Sequence, residues 1–403
     1  MAAVGQHRLL GRVAVAGVAG LPDLELDLGP ITALIGPRGS GKSQLLASIA
    51  WLMTGRPAIV PAKGTASPAR PVVSGRLGDD RTGVPLSRTP GAGLSWGSVD
   101  AAAFPLPACS FLRARSRLGR ATASGGNVAA RLSRDDGHPT SDALAAEALV
   151  AAMEACCEEC LTGEILLIEE PELLLTPQAQ RYLYRLVRRF AENGNQVLYS
   201  TRSPAFVDAA HHDEIVRLDL RDGRSTPRRT SPHTLTDAER VRLAAEFDHE
   251  RSEMFFAEAV VLVEGQTERL ALPFIFRALG HDPDAEGIAI VEVGGKSNLP
   301  LAARLLRELA IPFVVVFDAD RGTASAALDL EIRRSADTAP TIRLEPDFEA
   351  AAGIATHQDK VIHAWRRFAG AAAAAVPPAL ANVVRTAVRA AAVDRGRSGP
   401  LHH

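Results

Sequence analysis

Ile31-Thr-Ala-Leu-Ile-Gly36-Pro-Arg-Gly-Ser-Gly-Lys42-Ser43 is the stretch on which the fold of this chain turns. Ile31 to Ile35 is a short apolar run that suits a buried strand. Gly36, Gly39 and Gly41 let the backbone turn with its N–H groups facing inward, and Gln44 to Trp51 reads as a helix whose positive end adds to an anion site. The spacing is G-x-x-x-x-G-K-S in strand-to-helix context, a phosphate-binding loop. Gly36, Arg38, Gly39, Ser40, Gly41 and Gln44 are its nucleotide-binding candidates; Lys42 is expected to reach the outer phosphates of ATP and the Ser43 hydroxyl to meet Mg²⁺.

Outward from the loop, residues 8 to 28 alternate weakly around Leu21-Pro22-Asp23, as a strand, a turn and a second strand would. Residues 55 to 110 are crowded with Gly, Pro, Ser and Arg and predict short strands and loops. Arg113, Arg115, Arg117 and Arg120 form a basic cluster, read as a solvated face. Residues 142 to 161 predict an amphipathic helix with Ser141 as N-cap, its stripe filled by Leu149, Met153, Cys156, Cys157 and Cys160 packing as small hydrophobes.

Glu164-Ile-Leu-Leu-Ile-Glu169-Glu170-Pro171-Glu172 then reads as a buried strand ending abruptly in carboxylates, the form of a Walker B motif. Glu169 is the candidate for the metal shell and Glu170 for the base that polarises water. Gln196 to Tyr199 predicts a further strand running into Ser200-Thr201-Arg202-Ser203-Pro204, a second place for polar groups to meet the γ-phosphate.

This order of motifs resembles the ATP-binding-cassette class of P-loop ATPases, in particular its DNA-repair and SMC-like branch. In that branch Pro-Glu and Leu-His-Pro follow Walker B, matched here by Pro171-Glu172 and Leu175-Thr176-Pro177. Arg202 stands where the resemblance implies a switch histidine, and Glu169 where aspartate is commoner. No Leu-Ser-Gly-Gly signature is present; by position the Thr140-Ser141 helix start is its candidate.

A polar, Arg-rich stretch over residues 219 to 253, turning helical at Asp237 to Phe247, marks a domain boundary near residue 250. Beyond it, Ala259 to Val263 is a second buried strand ending in Glu264-Gly265, with Glu268 on the opening helix. Phe313 to Asp318 ends in the same way with Asp318-Ala-Asp320. Acids two apart project to one face, and strand order could bring Glu264 and Glu268 beside them. Hard oxygen ligands at the ends of parallel strands suit one or two Mg²⁺ or Mn²⁺ ions.

This half resembles a Toprim domain: Glu264 matches its glutamate, Asp318 and Asp320 its Asp-x-Asp. With the ATPase first, the whole resembles the OLD-family ATP-dependent endonucleases, whose Val-Glu-Gly-x-Thr-Glu and Gly-Lys-x-Asn motifs appear as Val263 to Glu268 and Gly295 to Asn298. The resemblance implies metal ligands at Glu264, Glu268, Asp318 and Asp320, with Glu349 and Lys360 as the downstream acid and lysine, and Lys296 as a charge stabiliser. It also implies a DNA substrate, a homodimer through the ATPase heads and a setting in phage defence or DNA repair, which admits an accessory defence protein.

The expected architecture is α/β: an ABC/SMC-like P-loop ATPase domain over residues 1–250, a Rossmann-like Toprim domain over 251–350, and a helical extension and tail over 351–403. The expected function is ATP-regulated, metal-dependent nicking or endonucleolytic cutting of DNA; the alternative is a nucleotide-gated DNA-binding or sensor protein. The only tyrosines, Tyr182, Tyr184 and Tyr199, precede the Toprim half, which argues against strand passage. No second ligand pair at zinc spacing accompanies Cys157 and Cys160, as a primase would need. A net charge of −2 over 403 residues confines any nucleic-acid surface to a local patch. No apolar run of about 18 residues and no signal segment stand out, so a cytoplasmic, non-membrane protein is expected.

Overall fold

A computed structural model describes residues 9–56, 71–78, 83–96, 106–113, 127–134, 142–221, 224–320, 323–354 and 359–398. The chain divides into two units, Met1–Phe206 with Glu214–Pro227, and Val207–Asp213 with Arg228–His403. The architecture is α/β in both.

The first unit is built on two sheets. β1 (Leu10–Ala16) and β2 (Leu24–Asp27) form the predicted hairpin and join β4 (Val72–Leu77), β5 (Val84–Arg88) and β6 (Leu94–Trp96) in antiparallel order β2-β1-β4-β5-β6. The second sheet runs β11-β10-β3-β9-β8-β7, from β3 (Ile31–Ile35), β7 (Ala108–Arg113), β8 (Glu164–Glu169), β9 (Gln196–Ser200), β10 (Ile215–Arg221) and β11 (Arg224–Arg229). From β10 to β7 its pairs are parallel. Helix α1 (Lys42–Thr54) contacts strands of both sheets and buries Leu45, Leu46, Ile49 and Leu52 completely. That placement explains why it is apolar nearly all round rather than along one stripe. α2 (Asn127–Arg134), α3 (Asp142–Glu158) and α4 (Pro177–Glu192) complete the unit.

Two local readings are corrected. α3 ends at Glu158, so Cys156 and Cys157 pack inside while Cys160 lies past the helix, exposed and at φ 51°. The polar stretch from residue 219 contains the end of β10 and all of β11, an edge strand that tolerates Pro227 because an edge leaves one set of N–H groups unpaired. The chain also changes units at 227/228, ahead of helix α5 (Asp237–Glu246), which is closed by a Thr236/Glu239 capping box. The arginine cluster from residue 114 onward and the Thr140-Ser141 helix start lie outside the described residues.

The second unit carries a parallel sheet in the order β13-β12-β14-β15, from β12 (Ala259–Val263), β13 (Ile288–Glu292), β14 (Phe313–Asp318) and β15 (Thr341–Leu344). Its α-helices are α5, α6 (Gln266–Ala278), α7 (Leu299–Glu308), α8 (Thr323–Ala336), α9 (Phe348–Ala352), α10 (Lys360–Phe368) and α11 (Pro378–Ser398). α11 lies against β12 and β14, and its Leu380, Val383, Val384 and Ala387 share one core with Val261, Val263 and Val314. Because every strand pair is parallel, the turns after all four strands gather at one edge, where ligands of open α/β sheets sit.

Two candidate functional sites

In the first unit the loop after β3 closes on itself. Lys42 Nζ donates to the carbonyls of Gly36 and Pro37, 2.8 Å each, and to Ser40 Oγ at 3.4 Å. Lys42 is buried, and burial together with the Arg202 guanidinium pushes its pKa down to about 8. An ammonium solvated only by neutral oxygens gains from an arriving polyanion. The glycines are required by close approach: at Gly36, φ 131°, a Cβ would meet the Leu218 carbonyl oxygen at 2.4 Å, and at Gly41, φ 90°, it would meet Leu21 Cδ1 at 2.6 Å. Gln44 lies beside Gly20 in the turn between β1 and β2, and Gly39 faces open space.

Strand order puts β9 between β3 and β8, and the acidic end of β8 meets both the loop after β3 and the turn after β9. The Ser43 hydroxyl donates to the Glu169 carboxylate. Glu170, at φ 49°, pairs with Arg202 Nε at 3.3 Å. Glu172 accepts from Thr201 Oγ1 at 2.9 Å and from the Arg202 N–H at 2.8 Å, tying the turn after β8 to the turn after β9; burial raises its pKa. Sequence reading quoted Glu172 without a role, although Thr201 in the Ser-Thr-x-Ser-Pro run was the signal for its partner. Buried Glu164 had no such signal: it accepts from Ser110 Oγ at 2.6 Å and from the Asn127 and Val128 N–H groups at the start of α2. Those partners are remote in sequence.

In the second unit, β12 and β14 are neighbours, so Glu264 and Asp318 meet: Glu264 Oε1 accepts from the Asp318 N–H at 2.7 Å. Glu268, in the first turn of α6, is buried; desolvation and then the charges of Asp318, Glu264 and Glu349 push its pKa up to about 8. Burial, Glu264 and Glu349 push Asp318 up to about 7. Asp318 Oδ1 is buried without a hydrogen-bond partner among the described residues. Glu349, in the first turn of α9, pairs with Lys360 Nζ at 2.9 Å, joining the downstream acid and lysine. Asp320 is turned outward, its side chain 58% exposed, and pairs with Lys296 at 3.1 Å. As they stand, no three His, Cys, Asp or Glu side chains among the described residues close round one point to grip an ion. The donors nonetheless fit a hard divalent cation: all are oxygens, they repel one another, and one lone-pair-bearing atom is orphaned in the interior.

Lys296 follows the Gly294-Gly295 turn after β13. Its Nζ donates to the Asp318 carbonyl at 2.6 Å and Ser325 Oγ at 3.3 Å, and stands 2.8 Å from Asp329 Oδ1. Neighbouring Asp329 and Asp320 raise its pKa against the effect of burial. Asp329 and Ser325, on α8, were not singled out in the sequence because nothing local ties them to a turn about thirty residues earlier.

The fold and the two sites define the chain as a P-loop ATPase head joined to a Toprim domain. Residues 255–320 match the family described as "Overcoming lysogenization defect protein-like, TOPRIM domain", and residues 143–208 match "AAA domain, putative AbiEii toxin, Type IV TA system". The first of these matches agrees with the resemblance to OLD-family proteins that the order of the motifs implies. It is 42% identical over 175 residues to the OLD nuclease of Thermus scotoductus, covering 42% of this chain and 33% of that one. It is 27% identical over 164 residues to the Old nuclease of Escherichia phage P2, covering 40% and 28%. The matched stretches therefore span about a third or less of these relatives' length. Among solved structures, the C-terminal region of the Burkholderia pseudomallei OLD protein matches 34% of this chain and 99% of its own at 19% identity and a TM-score of 0.29. No described helix is long and apolar enough to cross a membrane.

Proposed function

We propose that this chain is an ATP-regulated, divalent-metal-dependent DNA endonuclease or nickase. The observation that carries the reading is the cluster of Glu264, Glu268, Asp318 and Glu349 at one sheet edge, kept although burial and neighbouring carboxylates oppose ionisation of Glu264, Glu268 and Asp318. A fold that keeps such a cluster gains stability once a cation binds it. Mg²⁺ or Mn²⁺ held there supplies a Lewis acid that orients a water and lowers its pKa beside a phosphodiester. Of the chain's own groups, buried Lys296 and half-exposed Lys360 hold positive charge beside the acids, where a developing phosphorane charge would be stabilised, and Asp320 orients Lys296. In the head, Lys42 and the loop amides hold the phosphates of ATP, Ser43 and Glu169 face the nucleotide's Mg²⁺, and Glu170 orients water. Homodimerisation through the heads, phage defence or DNA repair as the setting, and an accessory protein belong to the same proposal.

The test is nicking of supercoiled plasmid with Mg²⁺ or Mn²⁺, with and without ATP. Cutting that vanishes in Asp318→Ala, and that loses its response to ATP in Lys42→Ala, is the expected result. Absence of cutting by the unmodified chain under every condition overturns the nuclease reading. A second reading, a nucleotide-gated DNA-binding or sensor protein, is favoured by the Arg202–Glu170 ion pair, which holds the water-orienting carboxylate against a cation. It predicts ATP-dependent DNA binding without cleavage.

A further inference from the structure

We infer that the Lys296 ammonium occupies the place of a second cation in the Toprim centre, so that the centre takes one divalent ion and not two. The inference rests on the metal-dependent reading above. Four oxygen atoms surround Nζ: the Asp318 carbonyl at 2.6 Å, Asp329 Oδ1 at 2.8 Å, Asp320 Oδ2 at 3.1 Å and Ser325 Oγ at 3.3 Å. Two carboxylates, a carbonyl and a hydroxyl are the donors a hard divalent ion takes, and here a lysine has them. The side chain is 8% exposed, and its ammonium stands 5.3 Å from the centre of the Phe317 ring, a neighbour that favours an organic cation.

The cage is built to hold that cation in place. Asp329 comes from α8 and is braced on its far oxygen by Arg343 Nε at 3.1 Å, which itself pairs with Glu345. Its position is therefore independent of Asp320, which lies on an outer turn. The remaining carboxylates divide cleanly. Lys360 takes Glu349, and Glu264, Glu268 and Asp318 have no ion pair among the described residues. Three carboxylates suit one divalent ion. Asp320, matched to the Toprim Asp-x-Asp by its spacing, thereby serves the lysine and is a positioning residue rather than a ligand.

The experiment counts Mn²⁺ bound by the full, nucleotide-free chain, from the electron paramagnetic resonance signal of free Mn²⁺, with thermal unfolding run on each variant. The unmodified chain is expected to bind one ion that Asp318→Ala loses. Asp320→Asn, a change at an exposed side chain that leaves the fold intact, is expected to keep that ion with affinity changed less than about threefold. Lys296→Met is expected to admit a second ion or to tighten the first by roughly tenfold or more, because a fixed charge of the same sign is gone, whereas Lys296→Arg keeps the count at one. Two Asp318-dependent ions in the unmodified chain, or loss of the ion in Asp320→Asn, overturns the inference while leaving a metal centre standing. An unmodified chain with neither an Asp318-dependent ion nor plasmid nicking overturns the inference and the nuclease reading together.

Discussion

Lys42 and Lys296 each close a glycine turn at the carboxyl end of a parallel strand, yet their surroundings are opposite. Around Lys42 the near acceptors are neutral carbonyls and a hydroxyl, a second cation stands close in Arg202, and the ammonium's pKa falls to about 8. Around Lys296 the acceptors include Asp320 and Asp329, and its pKa rises. The first lysine is held by neutral oxygens with Arg202, Glu170 and Glu172 around it, whereas the second is held directly by carboxylates. Similar local patterns, a glycine turn followed by lysine, thus give an ammonium a lowered pKa in one place and a raised pKa in the other because the groups folded against them differ.

The largest effect that separates the two sites is expected from Gly36→Ala. Its Cβ collides with the Leu218 carbonyl at an already left-handed φ, so thermal unfolding of the first unit should fall by about 3 kcal/mol and ATP binding should be lost. Mn²⁺ binding through Asp318 should persist; its loss would mean that the sites are not independent. Lys42→Met comes next, with ATP affinity lowered about 100-fold in a fluorescent-nucleotide titration and Mn²⁺ binding unchanged.

The pH dependence of ATP affinity sharpens the contrast. Free Lys42 loses its proton above about pH 8, and bound phosphates restore its charge, so binding takes up a proton in that range. Affinity should be flat below pH 8 and fall by roughly tenfold per unit above it. A flat profile to pH 10 would show that Lys42 is not buried away from compensating charge. The smallest effect is expected in the metal-free second unit: Asp318→Asn removes a carboxylate that burial and two like charges oppose, and should raise stability by about 1 kcal/mol. Saturating Mn²⁺ should reverse the order of the two melting temperatures.

Strands and their acidic ends were legible because a strand buried on both faces is a run of apolar residues, and its boundary is a change of chemistry. Ile165 to Ile168, Ala259 to Val263 and Phe313 to Phe317 all show this, and all are buried. The glycine loop was legible for a different reason, since Gly36 and Gly41 have positive φ and close backbone neighbours that exclude a side chain. β11 lies in a stretch whose sequence shows only polar and Arg-rich character, because an edge strand has little need of apolar residues. Glu164 and Asp329 escaped notice because what makes them matter, a helix start in one case and a buried ammonium in the other, lies far along the chain.

The sequence by itself determined which residues could do chemistry: the phosphate loop from Gly36 to Ser43, the Glu169-Glu170 pair, and the Glu264, Asp318 and Asp320 strand ends, each a local pattern of residue type and spacing. Tertiary structure alone decided which of those groups meet. Strand order set Glu264 against Asp318 and Ser43 against Glu169, and the packing of α8 put Asp329 on Lys296 beside the ion pair of Lys296 with Asp320. The physical reason is range: backbone conformation and strand burial are encoded within a few neighbouring residues, whereas the charge a side chain feels is summed over everything the fold brings near it.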